Sequence, residues 1–213
     1  MNQQFTFKEY FFEIIKSATF LGSGKELDKA IDILFETWKN SGTIFVMGCG
    51  GSASTATHFA SDLAKTTIIP HKKRFKAMSL VDNIPLVSAW TNDSGWGTVF
   101  AEQLEPWLAK NDVLVGFSVH GGSGMGDAGP WSQNMVAAMK LAKSRGAKIL
   151  GFSGFDGGAM KQMANVCLVV PVINEVYGTP AIEAFHVVLT HGIIFTLRQM
   201  IKDFDNGKAN GKK

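Results

Sequence analysis

His58 and Asp62 stand four positions apart in a stretch with helical periodicity, so their side chains share one helix face. Glu183, His186 and His191 fall in a second helical stretch near the C-terminus. His58, Asp62, Glu183 and His191 together make a mixed nitrogen and oxygen donor set. Such a set suits zinc or a similar divalent metal, or general acid–base work with Asp62 and His191 as the proton carriers. The plain alternative is surface ion pairing plus a satisfied core histidine. The eight positions from Glu183 to His191 correspond to about 12 Å of helix rise. The two converge only if both side chains lean inward or the helix starts irregularly.

A different chemistry lies in glycine and serine. Gly48-Cys49-Gly50-Gly51-Ser52-Ala53-Ser54 runs from an apolar strand-like segment into a helical one. Phe117-Ser118-Val119-His120-Gly121-Gly122-Ser123-Gly124-Met125-Gly126 follows another such strand. In open parallel sheets ligands bind beyond the carboxyl ends of the strands, where glycine lets backbone N–H groups approach an anion. Two such loops describe a phosphate pocket of neutral donors, built from Gly50, Gly51, Ser52, Ser118, His120, Gly121 and Ser123. Neither loop matches G-x-x-x-x-G-K-[ST] or G-x-G-x-x-G, which disfavours a nucleotide. Asn92 and Asp93 suit either hydrogen bonds to sugar hydroxyls or an Asx turn. Cys49 precedes a helix N-terminus that would stabilise a thiolate, yet no base stands near it in sequence, and a small packed residue is the favoured reading.

The elements that must hold these residues follow from periodicity. Apolar runs at 43–47, 75–80, 112–117, 148–152 and 166–170 have strand length, most of them apolar on both faces like buried parallel strands. Helical patterns at 54–65, 98–108, 132–144 and 159–165 lie between them. A last helix is expected from Pro180, at its first turn, to about Lys202. This alternation predicts an α/β protein, a three-layer α/β/α sandwich on a five-stranded parallel sheet. Residues 1–42 read as a pair of apolar-striped helices, 43–202 as the phosphosugar-binding domain, and 203–213 as a frayed polar tail. The helical pair covers its own sheet or packs against another subunit; the aromatic content of its first helix favours the subunit contact.

The chain has 213 residues, 46% of them hydrophobic and 18% charged, which excludes a disordered chain and allows one domain with an extension. A formal charge of +3, with basic clusters free of interleaved aromatics, does not indicate a nucleic-acid groove. The longest apolar runs look strand-sized rather than membrane-spanning. The start lacks signal-peptide character, and two cysteines make no disulfide framework. A soluble, cytoplasmic protein is expected.

These segments resemble the sugar isomerase (SIS) domain superfamily, and most closely its phosphoheptose isomerase branch. The likeness rests on the first glycine loop through His58-Phe59-Ala60-Ser61-Asp62-Leu63, on Thr91-Asn92-Asp93, and on Asp112 through Ser118. It continues with Gly154-Phe155-Asp156-Gly157-Gly158 and Ile182-Glu183-Ala184-Phe185-His186 through His191. The resemblance implies a homotetramer that isomerises sedoheptulose 7-phosphate to a heptose 7-phosphate for lipopolysaccharide or other heptose-containing glycans. It implies a base at Asp62, an acid at His191, and zinc on His58, Asp62, Glu183 and His191. Phosphate hydroxyls fall on Ser52, Ser118 and Ser123, and a sugar contact on Asp93.

Departures gather at the pocket. Cys49 replaces a usual Asn, Asp62 a Glu, and Glu183 a Gln. Val119 and His120 replace two hydroxyl residues, His120 offering a charged donor instead. Residues 124–131 look inserted. The leading reading is a metal-assisted phosphosugar aldose–ketose isomerase. Its rival is a non-catalytic SIS protein that binds phosphosugar or serves as a scaffold, like the relative that associates with the bacterial replication initiator. A regulatory SIS domain for amino sugars is disfavoured by the lack of a fused glutaminase or DNA-binding domain.

Overall fold

The structure, a computed structural model, describes residues 6–21, 24–122, 125–126, 129–130, 132–172 and 175–204. Ser123, most of 124–131 and the tail beyond 204 therefore lie outside the described residues.

Two helices, α1 (Phe7–Leu21) and α2 (Lys25–Lys39), lead into β1 (Thr43–Gly48) and α3 (Gly51–Lys65). β2 (Lys76–Ser79), α4 (Ile84–Ser94), α5 (Val99–Leu104) and β3 (Val113–Phe117) follow. A two-residue hairpin, β4 (Met125–Gly126) with β5 (Gly129–Pro130), falls inside the segment that looks inserted. The chain continues through α6 (Gln133–Ser144), β6 (Lys148–Gly154), α7 (Gly158–Met163), β7 (Val166–Val170) and α8 (Glu175–Asp203). The five long strands form one parallel sheet in the order β2-β1-β3-β6-β7, as the alternation predicts.

Strand side chains alternate between two cores because the pleat has period two. Ile44 and Val46 join Phe59, Leu34, Ile182 and Phe185 on one face, while Phe45 and Met47 join Phe100, Met135 and Met160 on the other. Burial on both faces explains why β1 and β3 read as unbroken apolar runs. α2 buries Ala30, Ile31, Leu34 and Trp38 in this same core, so its inner face covers the chain's own sheet. α1 instead leaves Phe7, Phe11, Phe12 and Ile15 largely exposed.

Three elements differ from expectation. α4 has no buried residue, so no apolar stripe announces it; its local signals are Pro85 in the first turn and Asn83, whose side chain accepts from the Leu86 N–H at 3.2 Å. α8 begins at Glu175, which puts Pro180 inside the helix rather than in its first turn. α8 also contains a span, Val176–Asp203, long and apolar enough by composition to cross a membrane, contrary to the expectation of strand-sized runs only. Half of its most apolar stretch is buried, with Ile182, Phe185, Ile193 and Leu197 in the core, which accounts for that apolarity.

Candidate active site

α3 and α8 pack side by side, and the chemistry lies along their contact. At one level His58 Nε2 lies 3.5 Å and His191 Nε2 3.7 Å from Asp62 Oδ2, with the two imidazole nitrogens 3.4 Å apart. The other carboxylate oxygen, Oδ1, accepts from Thr66 Oγ1 at 3.0 Å, which fixes the Asp62 rotamer. Both imidazoles are about half exposed, whereas the Asp62 side chain is 19% exposed. Donor atoms 3.4 to 3.7 Å apart match three corners around one small divalent ion with bonds of about 2.0–2.2 Å. The donor set therefore fits zinc, and the residues that would hold it are His58, Asp62 and His191.

Glu183, expected as a fourth ligand, stands apart from this cluster. α8 is continuous from Glu175 to Asp203, so the helix rise separates Glu183 from His191 and the inward lean does not occur. The Glu183 carboxylate lies instead against Gly51, the first residue of α3; a Cβ on Gly51 would overlap both of its oxygens. Only glycine fits there.

At that level a pocket of about 320 Å³ opens at the carboxyl ends of β1 and β3. Cys49, Ser52, Trp96, Phe117, Ser118, Val119, His120, Ser132 and Glu183 line it. Ser52 sits in the first turn of α3, whose N–H groups and dipole favour an anion. Ser118 is held by its N–H, which donates to the Phe152 carbonyl at 3.0 Å. Gly121, at φ +64, lets the β3 loop press against the turn after β6: its carbonyl accepts from the Met160 N–H at 2.8 Å, and a Cβ would strike the Gly157 carbonyl. Gly50, at φ +58, caps α3.

His120 stacks on Phe155, with centroids 4.9 Å apart and planes at 7°. Burial lowers its pKa below the ordinary histidine value, against a smaller opposing pull from Asp156. The imidazole is thus neutral at pH 7, which corrects the expectation of a charged donor. Burial raises the Cys49 pKa, and the Asn134 amide donates to its sulfur at 3.4 Å, so the residue is a packed thiol facing the pocket. Asn92 and Asp93 are exposed at the end of α4, where the Asn92 amide donates to Asp93 Oδ1 at 2.7 Å; neither lines the pocket. Trp96, which does, was not singled out by sequence, although it closes the same turn. Beneath the site His186 is fully buried between Phe117 and Phe152, its pKa lowered to about 4 by burial.

The SIS domain pattern matches residues 9–154. The lincomycin biosynthesis protein LmbN of Streptomyces lincolnensis is 47% identical over 173 residues, covering 81% of this chain but only 60% of that protein. The phosphoheptose isomerase of Helicobacter pylori strain Shi470 is 37% identical over 162 residues, 76% of this chain and 77% of that one. Among solved structures, phosphoheptose isomerase GmhA of Neisseria gonorrhoeae superposes with a TM-score of 0.77 at 26% identity, covering 90% of this chain and 96% of that one. The superposed fold thus extends past the matched domain pattern toward α8, where His191 lies. On these grounds the chain belongs to the SIS-domain family, alongside the phosphoheptose isomerases.

Proposed function

We propose that the protein is a phosphosugar aldose–ketose isomerase acting on sedoheptulose 7-phosphate or a close relative. The observation that supports it best is the spacing of two sites along α3. Ser52, in the hydroxyl-lined pocket, and the His58–Asp62 pair are six to ten residues apart, or roughly 9–15 Å of helix. An extended seven-carbon chain places its terminal phosphate roughly 8–10 Å from its carbonyl end, at about a third of the ~3.3–3.6 Å residue repeat per bond. A triose phosphate falls well short.

In this reading the phosphate rests on Ser52, Ser118 and Ser123 and on backbone N–H groups of the two loops, and the carbonyl end reaches the cluster. Asp62 takes the proton from the carbon beside the carbonyl, and the C–H electron pair becomes the second C1–C2 bond. His191 moves a proton between the two oxygens, and Asp62 returns its proton to the neighbouring carbon. A divalent ion held by His58, Asp62 and His191 supplies Lewis-acid polarisation of the carbonyl oxygen.

Exchange of the carbon-bound proton of sedoheptulose 7-phosphate into deuterated buffer, followed by NMR, tests the assignment. Binding with no exchange for any phosphosugar would turn the reading to the non-catalytic scaffold. Ser118→Ala should weaken phosphosugar binding by ~1–3 kcal/mol, because one phosphate hydrogen bond is lost; calorimetry showing unchanged affinity would remove Ser118 from the pocket's function.

The reading includes a homotetramer, with residues 1–42 supplying subunit contacts. It is supported by the exposed aromatic face of α1 and by Val188 and Phe195, exposed on α8 either side of His191. Light scattering at micromolar concentration should give the tetramer mass; a monomer would count decisively against it.

A further inference from the structure

We infer that Glu183 is an internal rival of the substrate phosphate, a carboxylate seated on the anion subsite that every phosphate-bearing ligand must displace. The inference rests on the phosphate pocket proposed above. Its ground is the placement of the carboxylate. Glu183 lies against Gly51, the first residue of a 15-residue helix, where backbone N–H groups and the helix dipole attract negative charge. The same carboxylate lines the pocket with Ser52 and Ser118, the two described hydroxyls assigned to the phosphate. No Lys or Arg lines the pocket among the described residues, and His120 is neutral. Nothing there compensates two anions side by side, so the phosphate and the Glu183 carboxylate exclude one another.

Glycine at position 51 belongs to the same device, since any side chain there would drive the carboxylate from its seat. A phosphate ligand binds only the fraction of molecules in which Glu183 has swung away. Its apparent affinity falls by that fraction, and by the same factor whatever the phosphate is attached to. A sugar without phosphate carries no group for the seat and escapes the penalty. Glu183 is therefore a specificity-determining residue that narrows the preference for phosphorylated over unphosphorylated sugar.

Calorimetry on the wild type and on Glu183→Gln, which keeps the shape and removes the charge, tests the inference with three probes. Inorganic phosphate and sedoheptulose 7-phosphate should both bind the variant tighter, by a common factor of about ten or more. Sedoheptulose itself should bind both proteins alike. Glu183→Ala, checked for an unchanged melting temperature, guards against a folding artefact and should tighten inorganic phosphate in the same way. Phosphate affinity that is unchanged or weaker in both folded variants overturns the inference. Wild-type proton exchange is a separate readout, so that result would leave the isomerase assignment standing, and absent exchange with tightened phosphate would do the reverse.

Discussion

Replacing His191 by alanine is expected to lower proton exchange on sedoheptulose 7-phosphate by roughly 10²–10⁴-fold, the usual contribution of a positioned acid–base group. The side chain is 47% exposed and belongs to no core cluster, so the variant should melt at the wild-type temperature. It should also bind zinc more weakly by calorimetry, because one of three donors facing a common point is gone. Chelation of the wild-type protein should abolish turnover reversibly. Full exchange by a well-folded His191→Ala, with zinc affinity unchanged, would strip the cluster of both roles assigned to it.

Phe117→Ala should be the most destabilising single change around the site, by ~3–5 kcal/mol. Phe117 is fully buried, stacked on Phe152 at 4.5 Å and edge-on to Phe59 at 5.8 Å, with the His186 ring 5.7 Å away. Removing the ring opens a cavity among three aromatic neighbours that the sheet holds in place. At about 2–4 °C per kcal/mol for a chain of this size, the melting temperature should fall by roughly 10 °C. Phe117 also directly precedes Ser118, so phosphate affinity should drop alongside stability. A loss below about 1 kcal/mol in urea titration would mean that the neighbours collapse into the space.

The parallel strands were legible because burial on both faces leaves near-continuous apolar runs, with helical periodicity between them. The glycine loops were legible because glycine and serine at strand ends have a direct meaning for anions. α4 was not, since a helix that buries nothing leaves no stripe to detect. The start of α8 was missed because proline suggests a first turn, whereas here the helix has already begun at Glu175. At the site, the pairing of His58 with Asp62 follows from local spacing, and the approach of His191 came through the family resemblance. The departure of Glu183 from that group was foreshadowed by helix rise alone, but its resting place against Gly51 depends on how α8 lies beside α3. The neutral state of His120 is likewise tertiary, since it arises from desolvation beside Phe155.

The imidazoles of His58 and His191 meet across 133 positions of chain. His191 is on the last element of the fold, while His58 and Asp62 follow the first strand of the sheet. During synthesis the early half of the domain can emerge and collapse without possessing the cluster. It comes into being only when α8 leaves the ribosome and docks along α3. An ion bound there would tie the latest segment to the earliest and favour the fully folded chain by mass action. Premature termination anywhere before α8 would therefore leave a protein with the glycine loop of β1 intact but with no means of acting at the far end of a sugar.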